Sequence, residues 1–272
     1  MSNKYVLVTG AYGGMGRATV LVLRKQGFYV FALDKTVLEA EDGILPIKAD
    51  IADENSIKNA FCTINNITDD LYAVIHFAGI YMLDSLVEIS NVEFEKIFRI
   101  NLGGAFLINK IFMPLLKNGS RILMTTSELA PLDPLPFTGI YAVTKSALDK
   151  YAYSLRMELQ LKGIKVSVLR AGAVSTDMLG DSTDALDLFC GKTKIYTCNA
   201  ERFKKIVNSV EARSIEPSAI AKKVTRILNK RDPGFAYSIN RNPLLLLLNL
   251  LPRRTQLWVI KQVLKSKEKS EK

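Results

Sequence analysis

Short runs of consecutive apolar residues recur along the chain at 5–8, Phe28 to Leu33, Leu71 to Phe77, Arg121 to Thr125 and Lys165 to Leu169. Strands covered on both faces read as continuous apolar runs rather than as an alternation, and these do. Stretches of helical periodicity lie between them, at Ala18 to Leu23, Glu54 to Ile64, Glu93 to Leu116 and Tyr141 to Leu161. Such alternation predicts an α/β fold, a doubly wound parallel sheet flanked by helices, with right-handed crossovers. The pattern breaks from Asp177 to Arg213, which is more polar, contains Gly180, Asp181 and Gly191, and has no strand signal. A connection of that length reads as a lid or binding loop. Glu216-Pro217-Ser218 then starts a helix that runs through Ile220 to Leu228, since proline suits a first helical turn. Arg231 to Gly234 is a turn, and Phe235 to Ile239 a last strand. Residues 1–240 therefore read as one domain including the lid 177–213, and 241–272 as an extension of it.

Composition narrows the classes. The 272 residues are 48% apolar, enough for a large core and too apolar for disorder. Three cysteines (Cys62, Cys190, Cys198) and a single histidine, His76, suit neither a zinc cluster nor a disulfide framework, so no metal is expected. The N-terminus carries no secretory pattern, and a cytoplasmic location is expected. The net charge of +10 is concentrated at the end, where 241–272 holds eight Lys/Arg and two Glu. Nucleic-acid binding by the domain is not implied.

The first strand leads into Thr9-Gly10-Ala11-Tyr12-Gly13-Gly14-Met15-Gly16. Strand, glycine-rich turn and helix N-terminus make a phosphate site, because unpaired N–H groups and the positive dipole end face an anion. Asp34 ends the second apolar run. A carboxylate there accepts hydrogen bonds from an adenosine ribose and repels a 2′-phosphate, favouring NAD(H) over NADP(H), although Lys35 next door weakens that preference. Tyr141 and Lys145 stand four residues apart, on one face of a helix. An ammonium beside a phenol favours the phenolate and tunes a proton carrier. Ser127 lies fourteen residues upstream of Tyr141, at the C-terminal end of a strand, where parallel sheets bind ligands. His76 reads as a buried strand-end residue, neither ligand nor base.

Taken in order, these motifs resemble the short-chain dehydrogenases/reductases, with a Rossmann-type fold, over most of the first 180 residues. The resemblance implies cofactor contacts at Gly10, Tyr12, Gly14, Met15 and Gly16, at Asp34, at Asp50 and Ile51 beside the adenine, at Ala78 and Gly79, at Tyr141 and Lys145, and at Val174 and Thr176 beside the nicotinamide. It implies that Asn101, Ser127, Tyr141 and Lys145 are catalytic. Tyr141 would move the proton, and Ser127 would bond the substrate oxygen. Lys145 would lower the phenol pKa and bond the nicotinamide ribose, and Asn101 would hold a water. The chain departs from the family at His76-Phe77-Ala78-Gly79, where Asn-Asn-Ala-Gly is usual, at Ala171-Gly172 in place of Pro-Gly, and in one extra residue between Ser127 and Tyr141.

The extension opens with Asn242-Pro243, five leucines, Asn249, two more leucines and Pro252. It is too short to span a bilayer. It reads as a helix closing the substrate pocket or a contact between like chains in a homo-oligomer. Alternatively, 244–272 makes a peripheral membrane contact. Its looser resemblance to the hydroxysteroid and retinol dehydrogenase branch, with Leu179, Leu186, Leu188 and Phe189 in the lid, implies a small apolar alcohol or ketone of steroid, bile-acid or retinoid type. A long-chain lipid alcohol or ketone is an alternative substrate. A dinucleotide-binding sensor or scaffold without catalysis is the reading from another class.

Overall fold

The computed structural model describes the backbone of residues 4–211 and 213–265, and the side chains of all but 177–184, 198 and 208–211 among them. Seven strands form a parallel sheet: β1 (Lys4–Thr9), β2 (Phe28–Asp34), β3 (Ile44–Lys48), β4 (Leu71–His76), β5 (Arg121–Ser127), β6 (Lys165–Ala171) and β7 (Ala236–Ile239). Their order across the sheet is β3-β2-β1-β4-β5-β6-β7. The order reverses between β1 and β4, and the crevice beyond the carboxyl ends of these two strands is where such sheets take ligands. Neighbouring residues of one strand serve opposite faces: Leu7 joins one core cluster with Phe31, Val74, Ile108 and Leu148, while Val6 and Val8 join another with Val20, Ile75, Ile220 and Val224. Helices cover both faces, which is why the middle of β1, β2, β4 and β5 reads as a continuous apolar run.

The helices are α1 (Gly14–Lys25), α2 (Glu54–Asn65), α3 (Asn91–Phe98), α4 (Ala105–Phe112), α5 (Gly139–Leu159), α6 (Asp177–Lys192), α7 (Thr197–Glu211), α8 (Pro217–Leu228), α9 (Pro243–Leu250) and α10 (Arg253–Leu264). Three differences from the sequence expectation have physical causes. Strand β3 is not expected from the sequence, because the short apolar run of this five-residue edge strand is interrupted by Pro46. Only an edge, paired on one side, tolerates the missing N–H. The continuous helix expected over 93–116 is instead α3, a π-helical turn Arg99–Gly104, α4 and a 3-10 turn Met113–Leu115. The stretch 177–213 is largely helical, as α6 and α7.

His76 ends β4 and is buried. Its Nε2 lies 3.0 Å from Asn109 Oδ1, and Asn109 Nδ2 donates to the Tyr151 hydroxyl at 3.2 Å. A carbonyl oxygen only accepts, so Nε2 carries the proton. Burial pushes the imidazole pKa down to about 4, against a smaller opposing effect of Asn109. The folded state therefore binds fewer protons than the unfolded chain between pH 6.5 and 4. Stability is full above the unfolded value and is lost as pH falls through that window. A contribution on the order of 3 kcal/mol is at stake. Urea titrations at pH 7 and pH 4.5 are expected to show a larger loss for the wild type than for His76→Gln; equal losses would show that this histidine is not what titrates.

Candidate active site

The glycine turn closes the carboxyl end of β1. A Cβ on Gly16 would stand 1.9 Å from the Gly10 carbonyl oxygen, so only glycine lets α1 begin this close to the strand. A Cβ on Gly14 would stand 2.5 Å from Thr176 Cγ2, which brings the loop after β6 against the turn. The backbone N–H of Tyr12 donates to Asp34 Oδ2 at 2.9 Å, and that of Lys35 to Oδ1 at 2.7 Å. Asp34 thus sits at the carboxyl ends of β1 and β2, as expected. Lys35 Nζ pairs with Asp50 Oδ2 at 3.0 Å, and Arg17 Nη2 with Glu41 Oε1 at 2.5 Å. Ile51 turns inward, where a Cβ on Gly104 would meet its Cδ1 at 2.5 Å. Its side chain therefore braces the π-helical turn.

That turn carries Asn101, which is buried. π-helical turns recur at functional sites. Asn101 Oδ1 accepts from the Ile80 N–H at 2.8 Å, while Nδ2 donates to the Ile80 carbonyl at 3.0 Å and to Thr144 Oγ1 at 3.2 Å. Gly79 runs between two of the expected residues: a Cβ there would lie 3.1 Å from Asn101 Oδ1 and 3.5 Å from Lys145 Nζ. Lys145 is buried and donates to the Thr125 carbonyl at 3.2 Å. Its Nζ is 5.6 Å from the centre of the Tyr141 ring. Ser127, the last residue of β5, lines the same cavity as Tyr141 and lies where its hydroxyl favours the ionised phenol. The structure thus brings Ser127, Tyr141 and Lys145 from β5 and α5 to one cavity, and sets Asn101, between α3 and α4, beside Lys145 at Gly79.

The electrostatics depart from the expectation that Lys145 holds the phenol pKa down. Burial dominates and pushes the Tyr141 phenol up; Tyr81 adds to the rise, and the Ser127 hydroxyl opposes it. The same desolvation lowers Lys145 to about 8. In these surroundings the phenol keeps its proton at neutral pH, and the ammonium is loosely held.

A cavity of about 590 Å³ opens on Ser127, Tyr141 and Lys145 and is walled mostly by apolar side chains. Its far side is Phe203, Ile206 and Val207 of α7, with Leu245 and Leu248 of α9 and Ile260 and Val263 of α10. The lid residues expected there lie elsewhere. Leu186 and Phe189 are buried behind that wall, in a cluster with Leu83, Phe137 and the wall residue Phe203, and Leu188 points to solvent. The side chain of Leu179 is outside the described residues. The sequence reading also missed three polar residues. Tyr81 places its ring 4.8 Å from that of Tyr141. Glu128, its carboxyl pKa raised by burial, accepts the Asn242 N–H at 2.6 Å. Asp133 accepts from Arg253 and Gln256, while its own N–H donates to Asn249 Oδ1 at 2.7 Å. Glu128 and Asp133 together fasten the C-terminal helices over the cavity. Among the described residues there is no group of three or more His, Cys, Asp or Glu fit to hold a metal.

A glycine turn at the sheet's switch point, a carboxylate at the end of β2 and a buried Ser–Tyr–Lys cluster are the features that the sequence expectation associates with nicotinamide-dependent oxidoreductases of alcohols and ketones. The profile of the short chain dehydrogenase family matches residues 4–187. The uncharacterized oxidoreductase YbbO of Escherichia coli K12 is 33% identical over 180 residues, covering 64% of this chain and 67% of that one. Estradiol 17-beta-dehydrogenase 2 of Mus musculus is 32% identical over 192 residues, 66% of this chain and half of the mouse protein. A short chain dehydrogenase family protein of Francisella tularensis superposes with a TM-score of 0.74 at 23% identity, covering 88% of this chain and 97% of that one. The chain belongs to the short chain dehydrogenase family. It is an oxidoreductase of CH–OH groups, in a family that uses NAD or NADP.

Proposed function

We propose that this protein interconverts a secondary alcohol and a ketone on a bulky apolar substrate of the hydroxysteroid, bile-acid or retinoid class, with NAD(H) preferred. The observation that carries the substrate reading is the apolar cavity of about 590 Å³ opening on Tyr141 and Ser127, a size suited to a fused-ring or polyene molecule. The similarity to an estradiol dehydrogenase agrees with it.

The residues present fit a dinucleotide. The cradle at Gly14 and Gly16 leaves no room for side chains, and a buried Arg17 nitrogen, Nη1, has no protein partner. Gly10, Tyr12, Gly14, Met15 and Gly16 would hold the pyrophosphate side, and Asp34 the adenosine ribose. Asp50 and the main chain of Ile51, whose side chain is turned inward, would flank the adenine. Ala78, Gly79, Val174, Thr176 and Lys145 would hold the nicotinamide side. When bound, the nicotinamide supplies or accepts the hydride. Tyr141 gives its proton to the substrate oxygen or takes it back. Ser127 holds both that oxygen and the phenol in line. Lys145, with one backbone partner and a pKa near 8, supplies a mobile proton beside the phenol. The Asn101 side chain is committed to Ile80 and Thr144, so a water held at this residue meets its main chain.

NAD(H) is preferred because both cations nearest the adenosine end already face carboxylates, Lys35 at Asp50 and Arg17 at Glu41. Asp34 then decides, by repelling a 2′-phosphate. A panel of steroid, retinoid and small ketones, run with NADH and with NADPH, tests substrate and cofactor together. Asp34→Ala is expected to narrow the ratio of kcat/KM between the cofactors by about tenfold. A wild-type ratio favouring NADPH would overturn the preference.

A further inference from the structure

Helices α9 and α10 are apolar on two sides. Leu245, Leu248, Ile260 and Val263 face the cavity. On other faces Leu247, Leu250, Leu257 and Trp258 are 60%, 81%, 68% and 61% exposed. Scattered apolar side chains are ordinary on a protein surface, but four large ones on two consecutive short helices are not. The basic residues of this segment, Arg241, Arg253, Arg254, Lys261 and Lys265, are all exposed, and 241–265 contains no Asp or Glu. Neither helix is long and apolar enough to cross a membrane.

The charge decides between the candidate occupants. A second copy meeting this face symmetrically would set the five cations against their own image, which repels. A surface of anionic headgroups attracts every one of them. Leucines with a tryptophan among arginines and lysines, on helices too short to span, are the composition of a segment that lies in a membrane interface.

We propose that the outward faces of α9 and α10 dock on a lipid bilayer with anionic headgroups, with Leu247, Leu250, Leu257 and Trp258 entering the interface and the flanking cations holding the headgroups. The cavity, walled by the same two helices, then lies against the lipid. On the activity proposed above, an apolar substrate passes from bilayer to active site without crossing water. That last step rests on the proposed substrate class; the docking itself does not.

Trp258 is the only tryptophan of the chain, so its emission reports on this face alone. The full-length protein is mixed with vesicles of phosphatidylcholine and phosphatidylglycerol in equal parts, or of phosphatidylcholine only. Expected are a blue shift of the emission and co-sedimentation with the anionic vesicles, with partitioning about tenfold or more weaker on the neutral ones. The variant L247E/L250E/L257E changes exposed positions outside the cavity wall and keeps Trp258. It is expected to bind anionic vesicles at least about tenfold more weakly while its turnover of a small water-soluble ketone stays unchanged. No binding by the wild type, or equal binding by the variant, overturns the proposal. So does a variant that changes only the oligomeric state on gel filtration, since the face is then a contact between copies. Vesicle binding by a protein inactive on every ketone and alcohol would leave the docking surface standing and remove the activity reading instead.

Discussion

Tyr141→Phe is expected to lower kcat by about 10²–10⁴-fold while NADH affinity, measured by fluorescence titration, changes little. The substitution removes one oxygen and keeps the ring, so the packing around Gly79 and Tyr81 persists. What goes is the hydroxyl that shares the cavity with Ser127 and is set 4 residues before Lys145 on α5. Burial keeps that phenol protonated at neutral pH, which makes it a proton donor to a carbonyl oxygen. Two other acids border the cavity and provide the controls. Tyr81 lies ring to ring with Tyr141 at 4.8 Å, and Tyr81→Phe is expected to keep activity within about tenfold, because removing a supporting phenol shifts a pKa without removing the proton carrier. Glu128 is occupied by the Asn242 N–H, so it does not stand in for the missing phenol. If Tyr81→Phe is the inactive variant and Tyr141→Phe the active one, the two tyrosines exchange roles and the mechanism falls.

How far the site could be read in advance depended on the distance over which each signal acts. The spacing of Tyr141 and Lys145 is a local property of one helix. The glycine turn followed by Asp34 spans one strand–helix–strand unit, and the strands themselves announce their burial on both faces. These features were legible. Tyr81, Glu128 and Asp133 were not, because only the packed fold gives them partners: Glu128 meets Asn242 at a separation of 114 residues, and Asp133 meets Asn249 at 116. The seven leucines from 244 to 251 declared that they needed a partner. Which of them face the cavity and which face outward is set by how α9 leans on the loop around Asp133, and no periodicity in a run of leucines encodes that. Strand β3 was hidden for the opposite reason: an edge position permits the proline that makes a strand look like a turn.

The loop after β6 is where this long-range fastening is tightest, and Gly172→Ala is expected to show it. A Cβ at Gly172 would stand 1.8 Å from the carbonyl oxygen of Asn240 and 3.1 Å from Glu128 Oε1. The first contact is backbone on backbone, so no rotamer relieves it. The Gly172 N–H also donates to the Ile239 carbonyl at 3.0 Å. Asn240, held at φ +53°, donates its Nδ2 to the Ala173 and Arg213 carbonyls. Moving one strand-end loop therefore pulls the other, and with it Asn242, the first anchor of α9. A loss of about 3 kcal/mol or more is expected, read as a fall in melting temperature of about 6–12 °C for a chain of this size. Turnover should fall with it, since Val174, Thr176 and the cavity wall shift together. Gly191→Ala, in α6, supplies the opposite sign. Nothing lies within 4 Å of its added Cβ, and alanine in a helix is favoured over glycine by about 0.5–1 kcal/mol, so that variant should melt slightly higher. If Gly172→Ala melts within about a degree of the wild type and turns over normally, the two loops are not locked, and the anchoring of α9 must be carried by Asp133 instead.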